Sequence, residues 1–80
     1  MTEVYLKLNK ETERYDCYRV MDDTYVKTLN CGNSFIYMPE DEDVEVPGRI
    51  EHSMSHGYYW TDTEEFTSKG LYNGMRGYVE

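Results

Sequence analysis

Residues 4–29, VYLKLNKETERYDCYRVMDDTYVKTL, decide the fold. Val4-Tyr5-Leu6-Lys7-Leu8 alternates with period two, which puts Val4, Leu6 and Leu8 on one face of a strand. Asn9-Lys10-Glu11-Thr12 reads as a turn, and Glu13 to Val20 again mixes aromatic and charged residues in strand fashion. Met21-Asp22-Asp23 forms the next turn, and Thr24 to Leu29 completes a second hairpin. No helical period competes with this pattern.

The same rhythm continues toward the C-terminus. Asn30-Cys31-Gly32-Asn33 predicts a tight loop, and Ser34 to Met38 a short apolar strand. Pro39 opens an acidic loop, Glu40 to Asp43, whose like charges repel and stay solvated. Val44 to Val46 and Arg49 to His52 form the next strand, with Pro47 expected at an edge or bulge because it has no amide to donate. Ser53 to His56 is a turn, and Gly57 to Thr61 is the most aromatic strand. One short helix is expected near residues 62–69. Asp62 would cap it, Glu65 sits three residues on, Gly70 would end it, and Phe66 would anchor it in the core. Leu71-Tyr72 and Met75 to Val79 read as a final extended segment. The glycines are expected at turns and bulges.

These signals predict one all-β domain over residues 1–80. The expected architecture is a small SH3-like or OB-like barrel of five to seven short antiparallel strands, closed or nearly closed. Leu, Ile, Val and Phe total only 14 of 80 residues, so nine tyrosines and Trp60 must supply much of the packing. Cys17 and Cys31 are too few for the disulfide framework of a small secreted domain and are read as free thiols. No N-terminal stretch resembles a signal peptide and no run is long enough to span a bilayer. A cytoplasmic setting is expected.

Charge placement carries the functional argument. Of sixteen acids and eight bases, residues 39–65 hold nine acids against Arg49 alone, which is the whole net charge of −8. The remainder sums to zero. This sign opposes direct binding to nucleic acid or an anionic membrane and favours a basic protein partner. The residues expected to contact it are Glu40, Asp41, Glu42, Asp43 and Glu45, flanked by Glu64 and Glu65, with Tyr37, Tyr58 and Tyr59 as aromatic contacts. Trp60 is expected in the core. No cofactor or metal is expected. His52 and His56 have an H-x-x-x-H spacing, but in a strand end and turn, so a site with Glu51 is disfavoured. Neither cysteine has the electropositive setting that activates a thiolate, so no catalytic residue is assigned.

Several short pieces resemble a family of small proteins known as an uncharacterised domain in low-GC Gram-positive bacteria, their phages and conjugative elements. The pieces are Glu11-Thr12-x-x-Tyr15, Cys31-Gly32, Gly48-Arg49-Ile50-Glu51 followed by Gly57-Tyr58-Tyr59-Trp60, and Leu71-x-x-Gly74. The resemblance implies a mobile-element setting and a small β fold, and it transfers no functional residue. The acidic loop Glu40 to Asp43 departs from the pattern. Charge, size and resemblance together suggest a non-enzymatic inhibitor or regulator. It would block the basic nucleic-acid-binding surface of a host protein, in the manner of anti-CRISPR proteins and other DNA mimics. An SH3-like adaptor gripping a peptide in an aromatic groove is the alternative. A small metal-dependent enzyme is a distant third.

Overall fold

The computed structural model describes residues 1–80 as eight antiparallel strands. These are β1 (Thr2–Asn9), β2 (Arg14–Arg19), β3 (Tyr25–Thr28), β4 (Ser34–Tyr37), β5 (Val46–Ser53), β6 (Gly57–Asp62), β7 (Ser68–Gly70) and β8 (Arg76–Val79). They form one sheet in the order β3-β2-β1-β8-β4-β5-β6-β7. The all-β reading holds. The barrel does not: β3 and β7 do not pair, so the sheet stays open. These edge strands have four and three residues, and each pairs on one side only. The sheet instead curls until the Arg14 guanidinium lies 5.9 Å from the centre of the Tyr58 ring. Short edges that carry Lys27 and Lys69 are also poor templates for a further strand.

Eight strands replace the expected five to seven because residues 62–69 are not helical. The capping signal at Asp62 is real, but it serves a hairpin. Its carboxylate Oδ1 accepts from the Glu64 and Glu65 amides at 2.7 and 3.1 Å. The Phe66 amide donates to the Asp62 carbonyl, and Phe66 then turns left-handed at φ 60°. That ends the single helical turn, and β7 returns along β6. Two other hairpins use the same device. Glu13 donates to the carbonyl of Asn9 and Asp23 to that of Arg19, with φ of 59° and 60°. Phe66 was expected as a core anchor and is 79% exposed. The final extended segment also shifts: Leu71-Tyr72 lies outside the strands, and β8 begins at Arg76.

The core is a single cluster of Val4, Leu6, Cys17, Leu29, Phe35, Tyr37, Ile50, Trp60, Met75 and Val79. Val4 and Leu6 face inward from β1 as their alternation requires. Trp60 is buried, and its indole N–H donates to the Phe35 carbonyl at 2.9 Å. Two strand glycines make room for these rings. A Cβ on Gly48 would fall 2.2 Å from Trp60 Nε1, and one on Gly77 would fall 2.5 Å from the Phe35 ring. They are packing positions inside strands, where turn or bulge roles were expected. Pro47 sits on an interior strand, but its carbonyl side faces β6 beyond the last rung at Gly48–Asp62, so no ladder bond is lost.

Both cysteines are free, Cys17 buried and Cys31 exposed. Burial pushes the Cys17 thiol up from 9.0 to about 12. The unfolded chain therefore loses this proton before the folded one does. Stability from Cys17 should be complete below about pH 9 and fall as pH rises toward 12. A Cys17→Ser variant should flatten the decline in denaturation midpoint across that window, and an unchanged slope would contradict the assignment.

Candidate functional site

Antiparallel order carries the acidic segments to one end of the sheet. β4 and β6 run toward that end, and β5 and β7 leave it. The loops between them, 38–45 and 63–67, are therefore neighbours. The second loop is tied to β5 just past the end of the first, where the Thr63 amide donates to the Pro47 carbonyl at 3.4 Å. Glu40, Asp41, Glu42, Asp43 and Glu45 lie on the first loop, Glu64 and Glu65 on the second, and all seven are exposed. The molecule's three ion pairs are Arg19–Asp22, Arg49–Glu51 and Arg76–Glu3, so none of the seven carboxylates is neutralised by one. The two remaining acids of residues 39–65 have structural partners. Glu51 lies 3.2 Å from Arg49, and Asp62 is buried under its turn. Successive carboxylates on a loop lie well inside one screening length (about 8 Å at physiological salt), so their fields add.

The three expected tyrosines do not share one place. Tyr37 is at the acidic end but only 9% exposed, with its ring 5.3 Å from Trp60. Its hydroxyl lies 3.2 Å from that of Tyr72. Burial, that hydrogen bond and the charge of Glu40 all raise the Tyr72 phenol above its ordinary range. Lys69, directly across from Trp60 in β7, places its ammonium 5.8 Å from the ring centres of both Tyr37 and Tyr72. Tyr58 is at the far end of β6, against His52 at 4.6 Å and near Arg14. Tyr59 is half-buried on the face opposite Trp60.

Two apolar side chains that sequence reasoning did not place here belong to this end. Phe66 projects from the 63–67 loop beside Glu64 and Glu65, and Val44, 49% exposed, lies between Asp43 and Glu45. A bulky residue held left-handed is uncommon and costly. Phe66 is thus presented to solvent by a turn that works against its own preference. The repeated Asn9-x-x-x-Glu13 and Asp62-x-x-x-Phe66 spacing was the signal for that turn. Tyr5, Tyr18 and Tyr25 form a second unexpected feature, a row across β1, β2 and β3 with ring centres 5.8 and 6.1 Å apart.

The histidines and the exposed thiol do not converge. His52 packs on Tyr58, His56 shares a 2.8 Å hydrogen bond with Ser55, and Cys31 lies 3.4 Å from a Glu51 oxygen. No three His, Cys, Asp or Glu side chains are grouped as metal ligands.

The profile of DUF5348, a domain of unknown function, matches residues 4–78. The chain belongs to the DUF5348 family. That match spans every strand from the first inward residue, Val4, to Tyr78 in β8, so the eight-stranded sheet is the DUF5348 domain in this chain. No curated protein and no solved structure gives a significant match. No helix is long and apolar enough to cross a membrane.

Proposed function

We propose that this DUF5348 domain is a non-enzymatic binding module whose acidic end docks on the basic, nucleic-acid-binding surface of a host protein and blocks it. The observation that carries this reading is seven exposed carboxylates, none in an ion pair, on two neighbouring loops at one end of the sheet. Carboxylates held on a small rigid sheet compete with phosphates for the same Arg and Lys side chains. Charge steers the encounter, and Phe66 and Val44 add the apolar contact that charge alone lacks. A phage or mobile-element origin, with action in the host cytoplasm, is part of the same proposal.

Capture from bacterial lysate tests it. The wild-type domain should retain a basic protein that duplex DNA elutes. A variant carrying Glu40→Gln, Asp41→Asn, Glu42→Gln and Asp43→Asn should lose that capture by tenfold or more, on the order of 1.4 kcal/mol. A control neutralising Glu11, Glu13, Asp22 and Glu80 should retain it. Equal loss in both variants, or elution insensitive to DNA, would refute the proposal.

The tyrosine row favours one further reading, an adaptor that binds a peptide across β1–β3. Tyr25 is 58% exposed at its edge. Under that reading Tyr25→Ala abolishes capture and the acidic loop does not matter.

A further inference from the structure

The acidic end contains a depression of about 460 Å³ with two tyrosine rings, Tyr37 and Tyr72, three carboxylates, Glu40, Asp41 and Glu42, and the Lys69 side chain along its lining. Resting on the docking reading above, we propose that this depression is an anchor pocket for one arginine side chain of the partner, and that Lys69 is an internal stand-in that occupies it in the free domain.

Lys69 makes no ion pair in this depression. Three carboxylates share its depression, yet its ammonium is within 4.0 Å of none of them. It lies instead over both tyrosine rings at 5.8 Å, close to the outer limit of about 6 Å for cation–π attraction. The pocket therefore attracts a cation but holds this one loosely. Lys69 also lies on an exposed three-residue edge strand, where its side chain can swing out. A guanidinium suits the same surroundings better. It is planar, stacks on an aromatic face, and presents forked N–H donors to a carboxylate. A spherical ammonium has neither a plane to stack nor a fork to offer, so it meets these demands less completely. The ring faces are fixed by burial of Tyr37 against Trp60 and by the packing of Tyr72 on the core. The pocket is thus preformed apart from the lysine crossing it. An arginine that displaces Lys69 gains two aromatic faces and a carboxylate wall together.

Calorimetric titration with a tetra-arginine peptide tests this. Lys69→Ala should bind the peptide about fivefold more tightly than wild type, as expected when a competing cation leaves two aromatic faces. Lys10→Ala changes net charge equally on the distant β1–β2 turn and should leave affinity within about twofold. Tetra-lysine should gain less than tetra-arginine from Lys69→Ala. Adding Tyr72→Leu to Lys69→Ala should cancel the gain, whereas Tyr72→Phe, which keeps the ring, should preserve it. Equal effects of Lys69→Ala and Lys10→Ala, equal gains for the two peptides, or a gain that survives Tyr72→Leu would overturn the pocket. If tetra-arginine binding falls on neutralising Glu40 to Asp43 while Lys69→Ala does nothing, the pocket alone fails. If neutralisation has no effect, the docking reading fails with it.

Discussion

Gly48→Ala should destabilise the domain by about 3 kcal/mol, the upper part of the range for forcing extra volume into a packed core. The added methyl would meet Trp60 Nε1 at 2.2 Å, Cε2 at 2.4 Å and the Thr61 carbonyl at 2.5 Å. None of these can yield cheaply. The indole is buried and tied to the Phe35 carbonyl, and Thr61 is backbone within the β5–β6 ladder. Moving the indole breaks that bond and strands a buried donor, which itself costs about 1–3 kcal/mol. A domain of this size has a total stability of roughly 4–12 kcal/mol, so the loss is a large part of it. Urea unfolding should show a midpoint lowered by about 2 M or more, given a slope of ~1–1.5 kcal/mol/M for a small domain. A shift under about 0.5 M would mean that the Trp60 ring does not lie against Gly48 as described. Gly77→Ala should act in the same direction, through the Ile36 carbonyl and the Phe35 ring.

Phe66→Gly should separate stability from binding. Phe66 contributes nothing to the core and sits at φ 60°, a conformation that costs a side-chain-bearing residue about 1–2 kcal/mol. Glycine removes that cost but adds unfolded-state entropy worth about 0.5–1 kcal/mol. The net expectation is stability unchanged or raised by up to about 1 kcal/mol. Phe66→Asn should behave alike, since asparagine tolerates the left-handed region. Capture of the partner should nevertheless weaken by about tenfold, because Phe66 is the large exposed aromatic side chain among these acids and aromatic residues are enriched in interface cores. A stability loss above ~1 kcal/mol would show Phe66 to be structural after all. Unchanged capture would remove it from the interface.

The strands were legible because their signal is local. Period-two alternation at Val4 to Leu8, turn residues at Asn9 to Thr12 and Met21 to Asp23, and the aromatic run at Gly57 to Thr61 each point to one backbone state. The helix expected at 62–69 does not form, because an Asx cap serves one isolated turn as well as it serves a helix. What decides between them is the left-handed φ at Phe66 and the pairing of Ser68 to Gly70 with β6, and pairing is a tertiary fact. Closure is illegible for a similar reason, since turn spacing counts strands but does not say whether the two edge strands meet. At the site, charge segregation along the chain became segregation in space because the consecutive antiparallel strands β4 to β7 return alternate loops to one end. The tyrosines were less legible. Nine similar rings in 80 residues carry no label for core, row or rim, and the exposed Phe66 looked like an anchor by composition alone.

Docking as proposed requires negative charge acting collectively at one end of the sheet. Its most direct test is the affinity of the domain for its captured partner across a salt series, for wild type and for the Glu40-to-Asp43 neutralised variant. Wild-type affinity should fall steeply between 50 and 200 mM salt, on the order of tenfold or more, and the variant should bind weakly with a nearly flat dependence. Parallel lines of equal slope for the two proteins would contradict it.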